Sequence, residues 1–104
     1  MAQSMTERQQ AIFKEFYNST RDNQFLSKRE SILVGLAAAM AVNCLPCQRY
    51  YLEDCRKAGI SKNDIAEVLA KVMAVSAGQK RLQFQEVLDR YEIKLDDFGS
   101  APGV

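Results

Sequence analysis

Histidine is missing from this chain of 104 residues. That absence removes the Ser-His-Asp triad, the Cys-His pair and every His-containing zinc site. Cysteine is scarce as well, with three residues, so a closed zinc site would need a carboxylate or a second subunit to complete it. No metal or organic cofactor is expected. No apolar run is long: the longest, residues 32–42, is about half the ~20 residues a membrane span needs. Neither sign of charge dominates, since 14 basic and 13 acidic residues leave +1. No phosphate-backbone footprint follows from that balance, so neither nucleic acid nor a membrane is an expected partner. The opening Met1-Ala2-Gln3-Ser4 lacks the basic n-region and apolar core of a secretory signal. The expected compartment is therefore the cytoplasm, where structural disulfides are rare.

What is present is globular: 47% apolar and 26% charged residues, enough for one domain over residues 1–104. No stretch alternates cleanly over strand length, and the pattern is helical throughout. Ser4-x-x-Glu7 and Thr6-x-x-Gln9 both fit a capping box for a first helix, with Ile12, Phe13, Phe16 and Tyr17 on its apolar face. Ser27-x-x-Glu30 opens a second helix. It is apolar on every side from Ile32 and rich in Gly and Ala, so it must be covered on every side. A chain this small cannot easily surround one helix alone, and a homo-oligomer is expected. Pro46 disfavours helical geometry at Leu45 but suits a first turn, so the second helix ends near Asn43 and a third begins between Cys44 and Cys47. Gly59 is a natural end for the third and Ser61 a natural cap for a fourth. The fourth is expected to end near Gly78, with a fifth carrying Leu82, Phe84, Val87, Leu88 and Tyr91. A frayed tail follows over residues 93–104.

The chemistry-bearing stretch is Asn43-Cys44-Leu45-Pro46-Cys47. Residues three apart on a helix lie about 5–6 Å apart, within the Cα range of a disulfide. A Cys-x-x-Cys pair in a cytoplasmic protein points to catalysis or metal binding. A helix N-terminus also favours the thiolate, the attacking form. With Pro46 as the first helical residue Cys47 gains most; with Asn43 as the cap Cys44 gains most. Tyr51, one turn beyond Cys47 on the same face, inclines the choice to Cys47. Cys55 lies about 12 Å farther along at 1.5 Å per residue and reads as a buried apolar residue.

Residues 26–78 resemble the carboxymuconolactone decarboxylase / alkylhydroperoxidase D-like family. The likeness lies in the order of parts: a capped start, an Ala-rich helix, Asn-Cys-x-Pro-Cys, a helix ending Ala58-Gly59-Ile60-Ser61, then Asp64-Ile65-Ala66-Glu67. The resemblance implies an all-α bundle of about five helices, assembled as a trimer or hexamer. It also implies thiol-dependent reduction of peroxides. One cysteine attacks the peroxide, the other resolves the sulfenic acid to a disulfide, and an external thiol reductant restores the pair. The expected catalytic residues are Cys44, Cys47 and Tyr51. Two positions depart from the family's motif. Tyr51 stands where the family has a histidine, and Ile32 where it has a glutamate; Glu30 is two residues early and is explained by its capping box. Tyrosine is a poor base at neutral pH but can donate a hydrogen bond. The expected function is a thiol–disulfide oxidoreductase acting on a peroxide or disulfide. A non-catalytic oligomeric helical module binding a small molecule or partner, and a lactone decarboxylase, are the alternatives.

Overall fold

The computed structural model describes residues 4–100, and the expectations for the first three and last four residues lie outside them. Among the described residues there are four α-helices and no strand: α1 Glu7–Ser19, α2 Lys28–Ala41, α3 Leu45–Lys57 and α4 Lys62–Arg90. A single 3-10 turn, Leu95–Asp97, occupies part of the tail expected to fray. The caps act where the sequence places them. Thr6 accepts from the Gln9 amide, and Ser27 and Ser61 form reciprocal boxes with Glu30 and Asp64.

The helix count is a correction. Among the described residues no fifth α-helix is separate, because α4 runs through Gly78 for 29 residues, about 44 Å at 1.5 Å per residue. A glycine in a helix interior costs about 1 kcal/mol relative to alanine. Its neighbours Ala77, Gln79 and Lys80 are strong helix formers, and neither a proline nor a capping residue follows to stop the helix. A Cβ at Gly78 would meet open space, so its absence serves no packing there.

The core sits between α2 and α3. Ile32, Leu36 and Ala39 of α2 and Cys55 of α3 are buried, and Met40, Tyr51, Ile60, Ile65 and Val68 pack against the cluster. The α2 helix packs on both α3 and α4, while α1 packs on no other helix among the described residues. The apolar face of α1 is accordingly open, with Ile12, Phe13 and Phe16 each more than half exposed. The outer face of α2 (Val34) and much of α4 (Met73, Val75, Leu82, Phe84) are open too. The Cα radius of gyration is 20.3 Å, against about 13 Å for a compact fold of this length.

One ion pair ties the two capped helix starts together: Arg29 Nη2 lies 3.0 Å from Asp64 Oδ1. The Arg29 hydrogen bond, then that from Ser61, holds the Asp64 carboxyl below its usual range. The backbone and side chain of Ser27 do the same for Glu30. A depressed carboxyl pKa stabilises the fold fully above the unfolded value, near pH 4, and the effect is lost as pH falls through the folded value. The thermal midpoint is therefore expected to drop as pH falls below about 4. Asp64→Asn should lower the midpoint at neutral pH and flatten that acid drop in a scanning-calorimetry series; an unchanged acid profile would contradict the linkage.

Candidate functional site

The junction between α2 and α3 is made by one residue in an unusual conformation. Asn43 has φ 59°, the left-handed region that Asn tolerates better than most non-glycine residues. It terminates α2 in a Schellman motif: the Asn43 amide donates to the Met40 carbonyl at 3.2 Å and the Cys44 amide to the Ala39 carbonyl at 2.9 Å. Cys44 then becomes the N-cap of α3 at once, with φ −89° and ψ 99°. Its Sγ accepts the Cys47 backbone N–H at 3.3 Å. Leu45 and Pro46 are the first two helical residues, where the missing proline N–H is not needed.

Cys44 and Cys47 are joined as a disulfide with Cα atoms 5.2 Å apart, and both are half-buried. Neither cap arrangement foreseen from sequence occurs. Pro46 is not the first helical residue and Asn43 is not the cap; Cys44 is itself the cap. The sulfur that takes a backbone N–H of the helix start is therefore Cys44, while Cys47 donates that N–H. A charge on sulfur at this position is favoured by the helix end.

Tyr51 is half-buried, one turn beyond Cys47. Its ring meets Tyr50 edge-on at a centroid distance of 5.1 Å and lies against α2 at Gly35, where a Cβ would overlap the ring. Burial is the main cause that raises its pKa, so the phenol keeps its proton and can donate at neutral pH. Ile32, at the family's glutamate position, is 5% exposed and in the same cluster. Glu30 is spent on the Ser27 cap: its Oε1 accepts the Ser27 amide at 2.8 Å. Glu53, a carboxylate that could have supported a thiolate, is paired with Arg56 instead. Cys55 is fully buried, and burial pushes its thiol pKa up, as an inert core thiol requires. No group of metal-ligating side chains occurs among the described residues.

Three further residues matter. Asn43 belongs to the expected chemistry-bearing stretch, but as a helix end or cap and not as the left-handed residue it is. Gly35 stood only among the Gly and Ala residues of the second helix, whereas it admits the Tyr51 ring of its own chain. Arg21 lies in a polar stretch without periodicity, which left no signal. Its guanidinium sits 4.5 Å from the Tyr17 ring centroid and 4.3 Å from that of Tyr50, linking the end of α1 to α3.

A capped Ala-rich helix, a left-handed asparagine, a helix-capping dithiol and a Gly59 terminator are now all in place. The sequence profile of the carboxymuconolactone decarboxylase family matches residues 8–89. This chain belongs to the carboxymuconolactone decarboxylase family. The match reaches past residues 26–78, where the resemblance was read, onto α1 and most of α4. A crystal structure of a structural-genomics target from Methanobacterium thermoautotrophicum is 29% identical, with a TM-score of 0.71 over 77% of this chain and 90% of that one. No curated protein matches the sequence. No described helix is long and apolar enough to cross a membrane.

The Gly35–Tyr51 contact gives a direct test. Gly35→Ala overpacks the helix pair and is expected to cost about 1–3 kcal/mol in denaturant unfolding. Shortening the ring with Tyr51→Leu in the same chain should recover part of that loss. An alanine tolerated without cost would mean the ring does not rest there.

Proposed function

We propose that this member of the family is a thiol–disulfide oxidoreductase, and that its reaction is thiol-dependent reduction of hydroperoxides. The observation that carries the reading is the half-buried Cys44–Cys47 disulfide formed at the first turn of α3. A structural staple across three residues closes too short a loop to constrain the unfolded chain much, so its worth lies in being made and broken.

In the reduced state the Cys44 sulfur, at the cap, holds the thiolate. Its electron pair attacks the terminal oxygen of ROOH; the O–O bond breaks, and RO⁻ leaves and takes a proton from solvent, where the Cys44 thiol released one, to become ROH. Cys44 is then a sulfenic acid. The Cys47 sulfur attacks it, the S–S bond forms and water leaves. An external dithiol exchanges with the disulfide, becomes oxidised itself and returns both thiols. Tyr51 supplies a neutral hydrogen-bond donor on the Cys47 face of α3 and accepts no proton. The peroxide is the substrate, and the reductant is a small thiol or a protein dithiol in a reducing, cytoplasmic setting.

The working form is a homo-oligomer, a trimer or hexamer by family resemblance. Four buried apolar residues among those described are a small core for a chain of this length, and the open faces of α1, α2 and α4 are what copies would cover.

Peroxide consumption with a dithiol donor tests the assignment. Wild type should turn over. Cys44→Ser should lose the reaction entirely. Cys47→Ser should consume about one equivalent per site and stop, leaving a sulfenic acid that dimedone traps on Cys44. Variants that match the wild type would refute the redox reading, and trapping on Cys47 in Cys44→Ser would reverse the roles.

A further inference from the structure

Beside the dithiol face of α3 lies a cleft of about 240 Å³, below the roughly 300–1,000 Å³ typical of drug-sized ligands. It opens between the start of α2 and the middle of α3. Arg21, Lys28 and Lys57 line it, with Ser31 and the rings of Tyr50 and Tyr51. The family's two missing relay positions both face this space, as Ile32 and Tyr51.

The charges around it are unbalanced. Among the described residues three arginines are ion-paired: Arg29 with Asp64, Arg56 with Glu53 and Arg90 with Glu86. Arg21, Lys28 and Lys57 have no carboxylate within ion-pairing distance among the described residues. Asp54 is the one acid in the wall. Three cations against one carboxylate, in a concave wall, concentrate positive potential. Arg21 is also positioned in advance, between the rings of Tyr17 and Tyr50, so a ligand does not have to order it.

We propose that this cleft binds a small organic oxyanion with a flat body. Its carboxylate or phosphoryl group takes charge-assisted hydrogen bonds from Arg21, Lys28 and Lys57. Its planar part lies against the rings of Tyr50 and Tyr51 and the edge of Ile32. Cys47, Tyr51 and Asp54 are spaced i, i+4 and i+7 on α3 and share one side of that helix, so the bound anion sits on the side that carries the dithiol. Binding does not require the dithiol to turn over, so this site stands apart from the redox reading.

Calorimetric titration of the full-length oxidised protein at low salt tests it, with benzoate, phenyl phosphate and the neutral benzamide as probes. Binding of either anion, weakened by added salt and absent for benzamide, is the expected result; which anion binds tells the head group. Arg21→Gln and Lys57→Gln should each weaken that binding by about tenfold or more while circular dichroism stays unchanged. The proposal is overturned if neither anion binds or if benzamide binds equally well. It is equally overturned if both variants keep wild-type affinity. If neither anion binds and the two substitutions shift the assembly state in sedimentation, the cations serve contacts between copies instead.

Discussion

Cys44 is used twice, and the site depends on it. Its amide closes α2 on the Ala39 carbonyl and its sulfur opens α3 on the Cys47 amide. The left-handed Asn43 makes this possible, because it lets one helix stop and the next begin within three residues. The dithiol is therefore fixed to two helix ends at once rather than carried on a loop. A site built at helix ends keeps its geometry better than one on a loop. The same helix end that holds the sulfur also favours its charged form.

Behind the dithiol, the packing is economical. Gly35 gives up its side chain so that Tyr51 can lie on α2, and Tyr51 in turn covers Ile32, Leu36 and Cys55. Tyrosine and isoleucine thus stand together where the family motif has histidine and glutamate. A pair with no base at neutral pH has replaced one that has two, and with it goes any proton relay through those two positions. What the helix end supplies to the sulfur becomes more important in consequence. The cations beside Tyr51 add a positive field that the motif itself does not foretell.

Much of the fold was legible because it rests on local signals. Ser27, Ser61 and Gly59 mark helix ends through hydrogen bonds within a few residues, and such signals survive whatever the tertiary context. Gly78 misled because a glycine weakens a helix without ending it, and only the absence of a following cap distinguishes the two cases. The identity of the capping residue at the dithiol was likewise missed. Cysteine is not among the usual caps, so Asn43 and Pro46 drew the assignment away from Cys44. Arg21 could not have been placed at all: its two aromatic partners lie four residues before it and twenty-nine after it, on different helices. The all-apolar α2 was read as needing cover on every side. Within one chain, α3 and α4 cover only the side that carries Ile32, Leu36 and Ala39.

In the proposed cycle the Cys44–Cys47 bond opens and closes while the α2–α3 junction stays folded. Heteronuclear NMR of the full chain tests it most directly, by adding a dithiol reductant and then one equivalent of hydroperoxide. The Cys44 and Cys47 Cβ shifts are expected to move to reduced values and back. The amide of Cys44 should stay protected from exchange by its bond to Ala39, and the Leu36 and Cys55 signals should hardly move. Cysteine shifts that ignore both reagents, or a reduced state in which the first turns of α3 unravel, would contradict it.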